Sequence, residues 1–283
     1  MTTTEPTPAP RDVDDLIKYD VVDGIARIVI NAPGQGNALA GDMRDRLADR
    51  FFEASEDLKV RAVVLRGAGD RHFCTGAALG GAQRPTPPKP EGAPDRASGD
   101  AARLIRTGWQ RLVGSVLDCE KPVIAAVNGT AAGGGAQLAL ACDLVVLADN
   151  AKFIEVFVRR GIMPDVGGCY LLPRLVGMQR AKELMFLGED CDAVTAERIG
   201  LANRVVPAAD LDAATDELAA KFLTLPTRAI AMTKRLTNRS FESSREQSFD
   251  DEAIFQELIT GTSDCQEGLA AFAERRTPQF RGW

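Results

Sequence analysis

Three consecutive glycines, Gly133 to Gly135, stand between the apolar run PVIAAVNGTAA and the helical run LALACDLVVLA. Because glycine has no Cβ, the backbone at such a strand-to-helix passage can approach a ligand closely and present its N–H groups to an anion. Close packing of a helix on a sheet would require the same residues. The triplet alone therefore leaves two interpretations open.

A second turn of small residues, Phe73 to Leu79, follows a predicted strand at 60–66. Two such turns can direct two N–H donors at one carbonyl oxygen, which is the usual way to stabilise an enolate or a tetrahedral oxyanion. The two turns together favour an oxyanion site over simple close packing.

The elements around these turns alternate between strand and helix. Strands are predicted at 25–30 and 60–66, and a helix at 38–54 lies between them. Apolar residues recur every four positions in this helix, at Leu39, Met43, Leu47 and Phe51. The alternation predicts an α/β fold with a parallel layer of strands and helices outside it.

Further along the chain, Trp109 belongs to an apolar helical stripe, which favours a place in the core over one in an acyl pocket. Buried strands are predicted at 122–127 and 144–148. From about Val206 the pattern contains helices only. These helices are predicted at 211–223, 227–237, 246–259 and 264–276.

This pattern divides the chain into three parts. We expect a disordered N-terminal tail at 1–17, a core at 18–205 and a helical C-terminal subdomain at 206–283. Residues 81–100 hold five prolines and no large apolar side chain, so a mobile loop or a lid is expected there.

Composition restricts the class of protein. A chain of 283 residues with 45% hydrophobic content can bury one large core, and its net charge of -6 argues against nucleic acid as a partner. The six cysteines contain no CxxC pair, so we expect neither a metal site nor a disulfide framework.

Asp143 interrupts the apolar run that would be the best candidate for a membrane span. No membrane span is expected, no signal-type segment begins the chain, and a cytoplasmic location follows as an expectation.

Several spaced motifs then resemble one family. They are NAL at 37–39, FCTGAALGG at 73–81, KPVIAAVNG at 121–129, AAGGGAQLALACDL at 131–144, GGCYLLPRLVG at 167–177, AERIGLANRVVP at 196–207 and FAERRTPQF at 272–280. In this order they resemble the crotonase, or enoyl-CoA hydratase/isomerase, superfamily from residue 18 to the end. The resemblance implies a spiral of ββα repeats, a helical oligomerisation region, a homotrimer or dimer of trimers, and an acyl-CoA thioester ligand.

The resemblance also implies roles for individual residues. The two oxyanion donors fall on the N–H groups of Ala77 and Gly134. Coenzyme A is expected to be part of the substrate, with no separate cofactor. The implied substrate-binding residues are Gln35, Ala38, Ala77, Ala78, Leu79, Gly80, Gly134, Gln137 and Phe157.

The chain departs from the family at two positions. Hydratases of this family hold and activate water with two glutamates, and those positions read Gln137 and Phe157 here. An amide can orient a water molecule but cannot take its proton, and a phenyl ring can do neither. A shifted alignment would place Glu155 nearby, although Phe153 and Gly161 fit the family without a gap.

The remaining candidate acid is Asp165 in the segment MPDVGG. An Asp here could simply cap the next helix. The segment, however, resembles the ring-epoxide isomerase of phenylacetyl-CoA breakdown and the dienoyl-CoA isomerases, in which this aspartate moves a proton. The ring-epoxide isomerase is similar also at Phe157 and Gln137. A single carboxylate suits a 1,3-proton shift, so we expect Asp165 to be the acid and base.

Three hypotheses remain at this point. The first is an isomerase that uses Asp165, the second is a 2-enoyl-CoA hydratase of fatty-acid-type breakdown with unusual residues, and the third is an acyl-CoA-binding protein without catalysis. The single histidine, His72, is expected at a strand end without a catalytic role. Its isolation weakens a dehalogenase reading, in which a histidine would activate water.

Overall fold

The computed structural model describes residues 12–78, 88–95 and 97–283. Of the loop expected to be mobile at 81–100, residues 81–87 and residue 96 lie outside the described residues. The part at 88–95 contains turns and bends on the surface.

The disordered N-terminal tail predicted at 1–17 extends too far, because its last residues form regular structure. Residues 1–11 lie outside the described residues, but Val13–Leu16 form a helical turn, α1, and Ile17 begins the first strand. The Asp12 carboxylate accepts the Asp14 N–H and caps this turn. The Ile17 side chain is fully buried, and this burial holds the polar segment before it on the core.

The strands of the described chain are β1 (Ile17–Val22), β2 (Ile25–Ile30), β3 (Ala62–Gly67), β4 (His72–Cys74), β5 (Val123–Val127), β6 (Thr130–Ala132), β7 (Leu144–Ala148), β8 (Lys152–Ile154), β9 (Asp190–Asp192) and β10 (Arg204–Val206). The helices after α1 are α2 (Gly41–Glu56), α3 (Asp100–Ile105), α4 (Arg111–Leu117), α5 (Gly134–Ala141), α6 (Gly168–Val176), α7 (Met178–Leu187), α8 (Ala193–Arg198), α9 (Leu211–Phe222), α10 (Thr227–Arg239), α11 (Arg245–Thr260) and α12 (Ser263–Glu274).

From β3 to β8, successive strands alternate between two sheets. One sheet has the order β1-β2-β3-β5-β7-β10 and the other has the order β4-β6-β8-β9. The pairs are parallel except for the antiparallel pairs β1–β2 and β8–β9. Each of the units β3–β4, β5–β6 and β7–β8 thus gives one strand to each sheet before the chain turns into helical structure. The predicted α/β class with a spiral of ββα repeats is confirmed.

The core lies around the centre of the larger sheet. Every residue of β5 is buried, as expected for a parallel strand that is covered on both faces. The predicted apolar stripe of α2 is buried through Met43, Leu47 and Phe51. This helix begins later than predicted because Leu39 instead forms a bridge to Ala77.

The C-terminal region is helical, but its first helix belongs to the core. All residues after β10 are described, and they form helices and connecting turns. Helix α9 packs on β3, β5 and β7 and buries Leu211, Thr215 and Ala219. Helix α10 is tied to the core by Lys234, whose Nζ lies 2.7 Å from Asp143 Oδ2. No helix of the described chain is long and apolar enough to cross a membrane.

Candidate active site

The first small-residue turn follows β4 and is held by α2's N-terminal extension. The Leu39 N–H donates to the Gly76 carbonyl at 2.8 Å, and the Ala78 N–H donates to the Leu39 carbonyl at 3.0 Å. These bonds use the groups on either side of Ala77. Among the described residues the Ala77 N–H has no acceptor, and its role as an oxyanion donor stays a prediction.

The second turn joins β6 to α5. Gly133 adopts φ 53° and ψ -123°, a conformation that L side chains rarely adopt. Its own N–H donates to the Ile154 carbonyl at 3.0 Å. The next residue, Gly134, begins α5, and no side chain caps this end of the helix in the described structure. The Gly134 N–H is therefore one of the unpaired donors of a helix N-terminus.

The two turns touch each other through glycine. A Cβ on Gly76 would lie 3.1 Å from the Gly134 nitrogen, and a Cβ on Gly135 would lie 1.9 Å from the Cys74 carbonyl oxygen. The close packing that the sequence left as one interpretation is thus present, and it leaves ligand approach as a prediction. The packing places the turns that carry the free N–H groups of Ala77 and Gly134 against each other.

Two buried asparagines hold the first turn in position. Asn37 Nδ2 donates to the His72 carbonyl at 2.7 Å and to the Ala68 carbonyl at 3.0 Å. Asn128 Oδ1 accepts the Gly67 N–H, and its Nδ2 donates to the Gly69 carbonyl. Both residues lie within the family motifs NAL at 37–39 and KPVIAAVNG at 121–129, but their positioning role could not be predicted from these motifs. His72 lies at the start of β4, as predicted.

Two aromatic side chains flank the second turn. A Cβ on Gly134 would lie 2.6 Å from Trp109 Cζ3, and a Cβ on Gly133 would lie 3.9 Å from Phe157 Cζ. Phe157 is buried and Trp109 is half-buried. Trp109 packs against the core, as the sequence favoured, and its ring also covers the backbone of Gly134.

The position of Trp109 depends on an irregular helical turn. Residues Arg106–Gln110 form a π-helical turn between α3 and α4. Such turns add a residue to the helix and occur often at functional sites. The sequence pattern gave no sign of it, because the apolar stripe runs without a break from α3 to α4.

Asp165 lies in the loop that leads into α6. Gln110, next to Trp109, donates from its Nε2 to the Asp165 carbonyl at 3.2 Å, and Gly167 packs against Val113. The Asp165 side chain is half-buried. Loss of solvation raises the pKa of its carboxyl above the usual range, and a backbone hydrogen bond lowers it in part.

Gln137 and Glu155 form a buried pair one helical turn beyond Gly134. Gln137 Nε2 donates to both oxygens of the Glu155 carboxylate, at 2.7 and 2.8 Å. Burial raises the pKa of Glu155 to about 7, against the lowering effect of the Gln137 hydrogen bond. The ungapped alignment with the family places Phe157, and not Glu155, at the second glutamate position. The structure brings this carboxyl group to Gln137 while Phe157 keeps its place beside Gly133.

Comparison with known proteins identifies the family. The family model for enoyl-CoA hydratase/isomerase matches residues 20–282. The chain belongs to the enoyl-CoA hydratase/isomerase family. The resemblance to crotonases that the motifs indicated is confirmed.

Relatives within this family carry names for different reactions. A probable enoyl-CoA hydratase of Rhodobacter capsulatus is 36% identical over 266 residues, which cover 94% of this chain and 98% of the relative. The 1,2-epoxyphenylacetyl-CoA isomerase of Escherichia coli is 34% identical, over 95% of this chain and 99% of its own length. A crystal structure of a putative enoyl-CoA hydratase from Streptomyces coelicolor superposes with a TM-score of 0.85 at 33% identity and covers both chains fully.

The remaining predicted binding residues of this family member border the first turn. Gln35 is exposed in a helical turn at Pro33–Gln35. Ala38 is buried and Ala78 is half-buried. Leu79 and Gly80 lie outside the described residues. The contacts of the chain with coenzyme A stay a prediction.

Proposed function

We propose that this protein is an acyl-CoA isomerase that stabilises a thioester enolate and moves a proton with Asp165. The thioester carbonyl oxygen accepts hydrogen bonds from the N–H groups of Ala77 and Gly134. The Asp165 carboxylate removes a proton from the carbon next to the carbonyl. The enolate is neutralised when the same carboxyl group returns the proton two carbons away, which shifts the double bond.

One observation carries this proposal. The two glycine turns, each with an N–H that has no acceptor among the described residues, touch each other, and the half-buried Asp165 stands on a loop bonded to Gln110, the neighbour of the Trp109 ring that covers Gly134. Hydrogen-bond donors directed at a developing oxyanion stabilise it by about 2.7–4 kcal/mol each. A carboxyl group whose pKa is raised by desolvation is a better match for proton transfer near neutral pH than a solvated one.

The likeness to one relative supports the same reaction class. The Escherichia coli relative is named an isomerase of 1,2-epoxyphenylacetyl-CoA, and we propose an unsaturated or ring-derived acyl group of similar kind for this chain. Coenzyme A would run along the turns at 31–39 and 77–80. No further cofactor is required by this chemistry, because the proton leaves and returns on one carboxyl group.

Hydration of a 2-enoyl-CoA is the second candidate. The observation in its favour is the Glu155 carboxyl group, which reaches the position of Gln137. Both of its oxygens, however, accept from the Gln137 amide, and the residue is only 6% exposed. A water molecule for hydration would have to displace this amide first, so we favour isomerisation.

The test compares wild type with Asp165→Asn on 2-enoyl-, 3-enoyl-, dienoyl- and oxepin-CoA esters. Asparagine keeps the shape of the side chain but cannot take a proton. We expect double-bond isomerisation of at least one ester by wild type and a loss of roughly 10²–10⁴-fold in kcat in the variant, the usual contribution of a general acid-base group. Asp250→Asn, at an exposed position of α11, is the matched control.

Other outcomes of the panel decide between the hypotheses. Isomerisation that proceeds unchanged in Asp165→Asn contradicts the assigned role. Rapid hydration of a short 2-enoyl-CoA would establish the second candidate instead. Saturable binding of the esters without turnover of any of them would mean a binding protein without catalysis.

A further inference from the structure

Glu155 is a buried carboxyl group that is paired with an amide instead of a cation. Its two oxygens accept from Gln137 Nε2. The nearest cations on its own segment, Lys152 and Arg159, bond to Asp190 of β9 instead. Burial disfavours the charged form of a carboxyl group unless an opposite charge compensates it.

The surroundings provide no such compensation within the described structure. Helix α5 contributes no charged residue in GGAQLALA. The charged side chains of the other neighbouring elements are Lys152, Arg159, Arg160, Asp165, Arg174, Arg180, Lys182, Glu183, Glu189, Asp190, Asp192, Glu197 and Arg198. The pKa of Glu155 responds to burial first and to the Gln137 hydrogen bond second.

Gln137 also has an unsatisfied polar atom. Its Oε1 is buried and has no hydrogen-bond partner in the described structure. A buried polar atom without a partner is costly. A protonated Glu155 would give this atom a partner, because its O–H can donate to Gln137 Oε1 while Nε2 donates to the other carboxyl oxygen. Only a rotation about the terminal torsion of Gln137 is needed, and this torsion is soft.

The pair lies next to the proposed oxyanion position. Gln137 follows Gly134 by three residues on α5, so both lie on one face of the helix. The residue before Glu155 is also part of the turn, since the Ile154 carbonyl accepts the Gly133 N–H at 3.0 Å. A negative charge on Glu155 would therefore repel a negative charge that develops on a ligand at Gly134.

We propose that Glu155 and Gln137 form a neutral acid–amide pair that must keep its proton for the Gly134 turn to hold an anionic acyl group. Glu155 is a positioning residue: it fixes the Gln137 amide and keeps charge away from the turn, and it touches no reacting atom. Loss of the proton leaves Gln137 Oε1 without a donor and places an uncompensated charge beside the turn. This inference rests on the proposed enolate chemistry.

The test measures affinity for an enolate directly, with acetoacetyl-CoA as the probe. Dissociation constants are measured between pH 5.5 and 8.5 for wild type and for Glu155→Gln, in which a neutral amide replaces the acid. Ionisation of the probe affects both proteins equally and cancels in the ratio of the two constants. Two charges about 10 Å apart at an effective dielectric constant near 20 repel enough to change binding roughly tenfold.

We therefore expect equal affinities at pH 5.5 and a wild type that binds the probe roughly tenfold more weakly than Glu155→Gln at pH 8.5, with the change centred near the pKa of about 7. Glu189→Gln, which removes an exposed glutamate in the turn before β9, should follow wild type at every pH. A ratio that is constant with pH would overturn the proposal.

A second variant tests the pair if Glu155→Gln folds poorly. Gln137→Met removes the hydrogen bond that lowers the pKa of Glu155, so the change in affinity should move to higher pH. A change that stays at its wild-type pH would contradict the pairing. Failure of the proposed function is distinguishable, because acetoacetyl-CoA would then bind Gly134→Ala as tightly as wild type.

Discussion

Gly134 meets two requirements that a side chain would violate. Its N–H is free at the start of α5. A Cβ at this position would lie only 2.6 Å from Trp109 Cζ3, so its absence leaves room for the ring. We expect Gly134→Ala to lower kcat/KM roughly 10²–10³-fold, the effect of losing one oxyanion donor, because the added methyl must displace the ring or the turn. Steady-state kinetics on the substrate found in the ester panel measures this loss.

Gly114→Ala is the control for this substitution. Gly114 lies inside α4, where a Cβ would meet no atom closer than 4.0 Å, and alanine favours a helix over glycine by about 1 kcal/mol. Gly114→Ala should keep full activity and melt at a higher temperature than wild type. Full activity in Gly134→Ala would contradict the expected disturbance of the turn by the added methyl group.

At this scale the sequence identifies backbone donors better than side-chain neighbours. The glycine turns are local, so their residue types predict them directly. The contact of Gln137 with Glu155 joins residues on two different elements, and it depends on which way both side chains turn. The covering of Gly134 by Trp109 depends on the π-helical turn at Arg106–Gln110. Neither contact can be predicted from the spacing of residues in the sequence.

Strand β4 is only three residues long and depends on asparagine side chains for its position. In Asn128→Ala the buried Gly67 N–H loses its acceptor, which we expect to cost about 1–3 kcal/mol of unfolding free energy. The turn at Ala77 should also become less well placed, so kcat/KM should fall with stability. Urea unfolding and kinetics on the same preparation test both effects.

Asn238→Ala provides the comparison at a site that makes no hydrogen bond to the β4 turn in the described structure. Asn238 Nδ2 donates one hydrogen bond, to the Leu117 carbonyl at 3.1 Å. Its loss should lower stability with no effect on kcat/KM. Equal losses of activity in the two variants would mean that Asn128 has no special part in positioning β4.

Most helices and strands could be predicted from the sequence, but the positions of their ends could not. The predicted helix at 38–54 begins at Gly41, because Leu39 pairs with the Ala77 turn. That pairing depends on a contact between distant segments, which periodicity does not report. Helix α9 has the pattern of a separate subdomain, yet it covers the larger sheet. Amphipathic patterns reveal that a face is buried but not against which element.

For the whole molecule, the spiral of repeats followed from resemblance to a family rather than from composition. Alternation of strands and helices predicts a parallel layer, but it does not show that successive strands belong to two sheets. The order β4-β6-β8-β9 brings the ends of β4 and β6 side by side. This neighbourhood is the reason that two turns more than fifty residues apart lie against each other.

The surface of α6, α7 and α8 bears on the predicted homotrimer or dimer of trimers. Large apolar side chains stand exposed along these helices: Leu175, Met178, Phe186, Leu187 and Val194. Exposed apolar groups of this extent mark sites of association. We expect a trimer or hexamer by light scattering coupled to size exclusion, and a shift toward monomer in Phe186→Asp. Leu58→Asp replaces another exposed apolar residue, after α2, and should leave the mass unchanged. A wild-type monomer at micromolar concentration would contradict the expected assembly, and an unchanged mass in Phe186→Asp would exclude this surface as its interface.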